Sequence, residues 1–168
     1  MQYLIPLCRN AGVNPSQGPF RISIHIFATF QVHRTIPKII MTLEERVAAS
    51  ETRIFKAVFP NTTNHYDTLF GGTAMHLMDE VAFITSTRFS RQRMVTVSSD
   101  RIDFTKPIPA GTIVELVGTV VHVGNTSLKV RVDVYIEEMY SDHREKAITG
   151  TFTFVAIDEH KKPVKVLH

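Results

Sequence analysis

The sequence predicts an α+β fold in which an antiparallel sheet of about five strands wraps around one long central helix. Residues 71–89 are apolar on most sides of a helix, which is typical of a buried helix rather than a surface one. From residue 94 onward the chain carries only strand and turn signals. Since strands and helices do not alternate, a parallel sheet is disfavoured, and the one long helix must cover the apolar face of the sheet.

The individual elements follow from local signals. Thr42 followed by Glu45 fits a capping box that opens a short helix. Residues Thr52–Phe59 are rich in β-formers and end at the polar loop Pro60–Thr68, which leads into the central helix. The segment Ser127–Glu138 alternates strictly between apolar and polar residues, as a strand with one buried face does. The other predicted strands are Met94–Phe104, Thr112–Val123 and Lys146–Ile157.

The composition is that of a globular chain with a core of its own. The 168 residues are 43% hydrophobic, and the mean hydropathy is +0.01. No apolar run reaches the roughly 18 residues that a membrane span needs. One cysteine, Cys8, cannot form an internal disulfide, which suits a reducing compartment. We therefore expect a cytoplasmic protein without a membrane span.

The positive charge of the chain lies in its first 40 residues. They hold four basic residues and no acidic one, whereas residues 41–168 hold 15 basic and 16 acidic residues. A nearly neutral body disfavours nucleic-acid binding. Residues 1–40 also lack hydrophobic periodicity. Their composition fits a transit-type presequence or a disordered arm poorly, and we favour a third interpretation, in which sequence upstream of the true start has been translated by mistake. We expect residues 1–40 to be a disordered or spurious extension, Met41 to be the true start, and residues 41–168 to form a single domain.

The central helix combines a glycine turn with an acidic pair. Gly71 and Gly72 lie where the helix begins, so a ligand can approach the free backbone N–H groups and the positive end of the helix dipole. Asp79 and Glu80 follow in an otherwise apolar segment, where an unpaired carboxylate is costly and therefore indicates a function. The segment offers an oxyanion-binding turn and, two helical turns later, a carboxylate.

Each of these polar residues also has a structural interpretation. Asp79 could be salt-linked across a subunit interface. Glu80 points about 100° away around the helix, so an interface or supporting role is favoured for it. His76 precedes Asp79 by three residues and can face it, but no Gly-x-Ser-x-Gly elbow is present, so a packed or orienting histidine is favoured over a triad member. Without HExxH or CxxC spacing, we expect no metal.

Three blocks of the sequence resemble one known family. The first block contains Asn64, Phe70-Gly71-Gly72 and Met78-Asp79. The second is V-T-V-x-x-D-x-I-x-F-x-K-P-x-x-x-G over Val95–Gly111. The third is F-x-F-V-A-I-D over Phe152–Asp158. Their order, over roughly residues 55–165, resembles the hotdog-fold acyl-CoA thioesterases, and in particular the YciA-like and brain-type acyl-CoA hydrolases. The resemblance implies a hotdog fold and the hydrolysis of acyl-CoA to a free fatty acid and CoA.

The resemblance also implies roles for individual residues. Asp79 takes the place of the catalytic acid, as a general base on water or as a nucleophile, two routes that the sequence does not separate. The Gly72 N–H would polarise the thioester carbonyl. The family's second polar group, an Asn or Asp, corresponds to Thr68, which cannot act as a base at neutral pH. Thr68 and Asn64 of the facing subunit would position water or substrate.

Basic residues are the candidates for CoA binding. Arg91 and Arg93 either contact the CoA phosphates or form a solvated cap that the helix dipole favours. Lys106 is a further candidate, and Gly71 belongs to the substrate-binding turn. No cofactor is expected, because the CoA is part of the substrate. The resemblance implies a homodimer that assembles further into a hexamer, as a trimer of dimers.

Two other functions stay open at the level of sequence. A non-catalytic acyl-CoA-binding module would keep the pocket and lose the acid, whereas Asp79 is retained here. A hotdog dehydratase or hydratase would pair a histidine with the acid, and His65 is the one candidate before the glycines. The preferred acyl chain length depends on side chains such as Met75 and Phe83, whose packing the sequence does not give.

Overall fold

The computed structural model describes residues 41–167. The expected extension over residues 1–40, and with it the prediction of an upstream segment, lies outside the described residues. Within these described residues, two α-helices cover Leu43–Ser50 (α1) and Gly71–Ser90 (α2), and one 3-10 turn covers Pro60–Thr62. The strands within this range are β1 (Thr52–Ala57), β2 (Arg93–Ser99), β3 (Asp103–Phe104), β4 (Thr112–Val123), β5 (Ser127–Glu138) and β6 (Arg144–Ile157).

The strands form one antiparallel sheet in the order β1-β4-β5-β6-β2, with the short β3 paired to β6. The sheet curls around α2, whose buried side packs on the inward residues of the strands. The core is mainly aliphatic, and its burial is the main stabilising term of the fold. Its largest fully buried side chains include Met78, Phe89, Leu116, Leu128, Ile148 and Phe154. The predicted α+β hotdog architecture is confirmed.

Two strand glycines let α2 approach the sheet closely. A Cβ atom at Gly118 of β4 would lie 2.9 Å from Val81 Cγ1 and would also collide with the Thr85 hydroxyl. A Cβ atom at Gly150 of β6 would lie 2.9 Å from Ile102 Cγ1. Any side chain at these positions would push the helix or its neighbours away, so both glycines set the spacing between helix and sheet.

The strand predicted over Met94–Phe104 is interrupted in the structure. β2 carries a register shift between Thr96 and Ser98 and ends at Ser99. The Asp100 N–H still donates to the Thr151 carbonyl at 2.8 Å, and the chain then moves off the sheet before pairing again at β3. The continuous run of β-formers hides this break, because Ile102 turns inward against Gly150 instead of continuing the ladder.

Helix α1 is tied to the end of α2 by an arginine. The predicted capping box between Thr42 and Glu45 is present, with both reciprocal hydrogen bonds formed. At the other end of α1, the Arg88 guanidinium donates to the carbonyls of Ala49 and Glu51 at 2.8 and 2.7 Å. These carbonyls lack partners within the helix, so Arg88 acts as their cap. Arg88 is therefore engaged in the fold rather than available to a ligand.

The outward face of the sheet carries a network of ion pairs around a buried carboxylate. Glu115 of β4 is only 3% exposed, although its side chain lies on the face away from α2. Arg53 donates to one of its oxygens at 2.8 Å, and Arg144 donates to the other through Nε at 2.9 Å. The Arg144 guanidinium also lies 3.6 Å above the Tyr135 ring. The two arginines exclude water from Glu115 and supply its hydrogen bonds.

Candidate active site

Asp79 lies on the side of α2 that faces β2. It is partly buried, and its Oδ1 accepts a hydrogen bond from the Thr96 hydroxyl at 3.1 Å. Thr96 lies on β2 at the register shift, where the strand bends relative to β6. The hydroxyl fixes the carboxylate in one orientation and leaves its second oxygen for another partner. Sequence reasoning missed Thr96, because only the packing of β2 beside α2 brings it to Asp79.

The Gly71-Gly72 turn opens α2 without a side-chain cap. Phe70 occupies the N-cap position and supplies no capping hydrogen bond, and the first N–H groups of a helix have no partner within it. Neither glycine has a positive φ. A Cβ atom at either one would make only ordinary contacts, at 3.8 Å to Phe104 and 3.4 Å to Phe70. The fold of one protomer therefore does not demand glycine here, and the open space lies beside free N–H donors.

Gly72 and Asp79 lie along one side of α2. Seven residues correspond to almost two full turns, so both residues face the same side of α2. At 1.5 Å per residue they lie about 10 Å apart along the helix axis. The helix therefore presents a backbone donor, directed toward its N-terminal end, and a carboxylate along the same side.

The loop before α2 is organised by the Asn64 side chain. Its Oδ1 accepts hydrogen bonds from the Tyr66 N–H, the Thr68 N–H and the Thr68 hydroxyl at 2.9, 3.3 and 3.1 Å. The Leu69 N–H donates to the Ile108 carbonyl at 2.7 Å, which holds the loop to the segment before β4. Within residues 41–167 no hydrogen bond links this loop to Asp79. One protomer therefore brings Asn64 and Thr68 together, but does not bond them to the carboxylate.

A cavity of about 220 Å³ opens beside the first turn of α2. Gly71, Phe104 and Lys106 are among its lining residues, so two of the predicted substrate-binding residues share one space. Lys106 forms an ion pair with Glu145, and both side chains are partly exposed. Its ammonium group is the nearest predicted phosphate-binding cation to the glycine turn.

Arg91 and Arg93 lie at the opposite end of α2. Arg91 is the C-cap residue, in the left-handed conformation, and Arg93 is 3.9 Å from Glu159 in an exposed ion pair. The 20-residue helix separates them from Gly71 by about 30 Å. One protomer does not place these arginines in the cavity that holds Gly71 and Lys106.

The other polar residues of α2 lie apart from Asp79. His76 makes no hydrogen bond to Asp79 and lines a separate cavity of about 150 Å³ between α2 and β1, together with Lys56, Thr73 and Leu77. Glu80, for which the sequence favours an interface or supporting role, is exposed in the single chain. Across residues 41–167, no three His, Cys, Asp or Glu side chains lie close enough to share a metal ion. The expectation that no metal is used stays a prediction.

The fold and this helix define the chain as a thioesterase of the hotdog type. The family profile described as the thioesterase superfamily matches residues 66–141. The uncharacterized acyl-CoA thioester hydrolase YkhA of Bacillus subtilis is 41% identical over 128 residues, which are 75% of this chain and 74% of that protein. An uncharacterized acyl-CoA thioester hydrolase of Zymomonas mobilis is 37% identical over 73% of this chain and 83% of its own length. The chain belongs to the acyl-CoA thioester hydrolases of the thioesterase superfamily.

Solved structures support the same assignment. The acyl-CoA hydrolase of Staphylococcus aureus, in complex with butyryl-CoA, CoA and CoA disulfide, is 37% identical with a TM-score of 0.69, over 72% of this chain and 74% of that one. Alanine variants of that enzyme replace an asparagine, an aspartate 15 residues later and a threonine 17 residues after that. Asn64, Asp79 and Thr96 are the same residue types, and they have the same separations.

The comparisons also bear on assembly and location. The broad-specificity thioesterase HI0827 is described as hexameric; it is 29% identical with a TM-score of 0.64, over 67% of this chain and 84% of that one. A cytosolic acyl coenzyme A thioester hydrolase of the rat is 30% identical over 71% of this chain, but over only 32% of that longer protein. None of the helices in the described range has the length and hydropathy needed to cross a bilayer.

Proposed function

We propose that this chain hydrolyses the thioester bond of acyl-CoA, releasing a carboxylic acid and free CoA, with Asp79 as the catalytic carboxylate. The observation that carries the proposal is the Asp79 carboxylate, which Thr96 orients on the same helix face as the Gly72 N–H. The chemistry that such a site supports is the attack of water on a carbonyl carbon that the enzyme has polarised. No cofactor is required, because the CoA arrives with the substrate.

The first turn of α2 would stabilise the oxyanion. The thioester carbonyl accepts a hydrogen bond from the Gly72 N–H, and the positive end of the helix dipole favours the negative charge that develops on its oxygen. Preorganised donors of this kind typically contribute about a hundredfold to a thousandfold in rate. The absence of a Cβ at Gly72 lets the carbonyl come within hydrogen-bond distance.

Asp79 would act as a general base on water. A water molecule held between the carboxylate and the thioester carbonyl carbon would be the nucleophile. Asp79 takes the proton from water, and the proton is later returned to the CoA thiolate. A single turnover in 18O-water tests this route. If Asp79 acts as a general base, the released carboxylic acid carries the solvent oxygen from the first turnover. If Asp79 attacks as a nucleophile and water then hydrolyses the anhydride at the aspartyl carbonyl, the label stays on Asp79.

Asn64 and Thr68 would complete the site from a facing subunit. Within one protomer they are bonded to each other and not to Asp79. The Asn64 oxygen is occupied by three donors, so its NH2 group is the part available to a water or a substrate carbonyl. This arrangement requires a second copy of the chain beside α2.

The surface around the site supports assembly with such a copy. The outer edge of β2 pairs with no other described strand. The apolar side chains Val97 of β2 and Met75 and Phe83 of α2 are all exposed in the single chain. An unpaired edge strand next to an apolar patch is typical of an interface. We propose a homodimer through this surface and, since related thioesterases are hexameric, the assembly of three such dimers.

Lys106 is the CoA-binding cation that one protomer supports directly. Arg91 and Arg93 would reach CoA phosphates only in a neighbouring subunit of the assembly. A cytoplasmic enzyme of fatty-acid metabolism fits the substrate and the cytosolic relatives from rat and mouse.

Release of free thiol from a panel of acyl-CoAs tests the proposed function. We expect the purified full chain to release one CoA thiol and one carboxylate per turnover, without added metal or cofactor. A non-catalytic acyl-CoA-binding module would bind the same compounds without thiol release. A dehydratase or hydratase would act on the acyl chain and leave the thioester intact. Either result would contradict the proposal.

A further inference from the structure

Two phenylalanine side chains stand beside the first turn of α2 and have no role in the reaction described above. Phe70 is 58% exposed and Phe104 is 50% exposed. Leaving rings of this size in water forfeits a large hydrophobic gain, so exposed aromatic rings next to a polar site often mark a binding surface. A Cβ atom at Gly72 would contact the Phe70 ring, whereas one at Gly71 would contact the Phe104 ring. The two rings therefore flank the turn on different sides.

The Phe104 ring belongs to the side of the turn where the ion-paired Lys106 lies. It lines the 220 Å³ cavity together with Gly71 and Lys106. The segment is held firmly to β6, since the Thr105 N–H and hydroxyl both donate to the Ala147 carbonyl at 2.8 Å. An extended ligand that passes through this cavity would lay an uncharged arm against Phe104 and direct its terminal phosphates past Lys106.

The Phe70 ring belongs to the side of the turn that carries the acid. Gly72 and Asp79 are separated by almost two full turns, so the ring that packs on Gly72 lies on the Asp79 face of α2. A thioester carbonyl carbon has two substituents, the sulfur and the acyl chain. If the sulfur side extends toward Lys106, the acyl side leaves in the direction of Phe70.

We infer that Phe104 and Phe70 divide the substrate between them. Phe104 packs against the pantetheine arm of CoA, and Phe70 packs against the first methylene groups of the acyl chain and keeps bulk water from the carbonyl. The inference rests on the proposed function and adds the side chains that recognise each half of the substrate. It makes Phe104 a determinant of CoA affinity and Phe70 a determinant of acyl selectivity.

The test compares Phe104→Ala and Phe70→Ala in two measurements. Calorimetric titration with free CoA reports the CoA half alone. Thiol release from acetyl-, butyryl-, octanoyl- and palmitoyl-CoA reports kcat and KM as a function of chain length. We expect Phe104→Ala to weaken CoA binding about tenfold and to raise KM by a similar factor for every substrate. We expect Phe70→Ala to leave CoA affinity within about twofold of wild type and to lower kcat/KM for octanoyl-CoA relative to acetyl-CoA about tenfold.

Matched variants exclude a structural explanation. Tyr140→Ala removes an aromatic ring that is 98% exposed in the β5–β6 turn, and it should change neither measurement. Phe104→Leu and Phe70→Leu keep an apolar side chain and should recover most of each effect, with an unchanged melting temperature and native mass. The inference would be overturned if Phe104→Ala and Phe70→Ala lost CoA affinity and acyl selectivity to the same extent, or if neither variant lost either property. A wild-type chain that binds CoA but releases no thiol would instead overturn the proposed function, and the CoA titration would still test Phe104.

Discussion

At the scale of single residues, the hydrogen bond between Thr96 and Asp79 decides how the acid is presented. The threonine hydroxyl lies 3.1 Å from Asp79 Oδ1 and comes from β2, the strand that follows α2 in the chain and packs beside it. Thr96→Val keeps the shape of the side chain and removes the donor. We expect kcat to fall about tenfold or more with little change in KM, because the carboxylate loses its orientation and not its substrate contacts.

Thr96→Ser is the matched control for that prediction, since it restores the hydroxyl without the methyl group. It should recover most of the lost kcat, with KM unchanged. A Thr96→Val enzyme with wild-type kcat would show that Thr96 only fills space beside Asp79.

Glu115 links the charge network on the outer sheet face to stability against acid. Its burial raises the pKa of the carboxyl, but the hydrogen bonds from Arg144 and Arg53 outweigh burial and hold the pKa below its ordinary value. A lowered folded-state pKa adds stability above the unfolded pKa, and that stability is lost as the pH falls through the folded value. The contribution of Glu115 should therefore be complete near neutral pH, begin to be lost near about pH 4, and disappear once the pH has fallen through the lowered folded-state pKa.

Thermal unfolding of wild type and Glu115→Gln between pH 3 and pH 7 measures this contribution. The variant should melt at a lower temperature at pH 7, because a neutral amide satisfies the two guanidinium groups poorly. The two melting temperatures should converge toward pH 3. If the difference in melting temperature between wild type and Glu115→Gln were as large at pH 3 as at pH 7, the negative charge of Glu115 would not be the source of its stabilising effect.

The sequence was sufficient to find Asp79 and the paired glycines, because a carboxylate in an apolar helix and a glycine pair at its start are both local patterns. It was not sufficient to find Thr96, which is one hydroxyl among several on an exposed strand until β2 packs beside α2. It also grouped Arg91 and Arg93 with Lys106, since sequence distance does not show that a 20-residue helix separates them.

At the scale of elements, the approach of α2 to β4 depends on Gly118. The hydrophobic period located the helix and every long strand, but the pattern of β-formers could not show where β2 bends or how closely the helix packs. Gly118→Ala should destabilise the fold by about 1–3 kcal/mol, because the added methyl group would collide with Val81 and Thr85.

Denaturant unfolding of the Gly118 variant measures that cost. Gly71→Ala is the control, since its methyl group would meet only ordinary contact at 3.8 Å and alanine favours a helix. Stability should stay the same or rise in this control. A Gly118→Ala chain as stable as wild type would mean that α2 can move away from the sheet at no cost.

At the scale of the whole molecule, the active site depends on assembly. Val97 is 55% exposed on the free edge strand β2, where a second copy is proposed to pair. A lysine at this position would place a charge in the interface and should split the assembly into smaller species. Activity should be lost with the assembly, since Asn64 and Thr68 then lie away from Asp79.

Light scattering coupled to size exclusion, with thiol release measured on each fraction, tests this dependence for Val97→Lys. Tyr140→Lys adds the same charge in the β5–β6 turn and should keep the native mass. A stable monomer that retains full activity would show that one protomer contains the whole site.

The catalytic role of Asp79 is tested most directly by measuring thiol release from acyl-CoA in Asp79→Asn and, as its control, Glu80→Gln. The two variants remove one negative charge each from adjacent positions of α2, and only Asp79 is hydrogen-bonded to Thr96. We expect kcat of Asp79→Asn to fall by about a hundredfold or more, with melting temperature and native mass unchanged, and Glu80→Gln to stay close to wild type. An Asp79→Asn enzyme that hydrolyses acyl-CoA at nearly the wild-type rate would show that Asp79 is not the catalytic carboxylate.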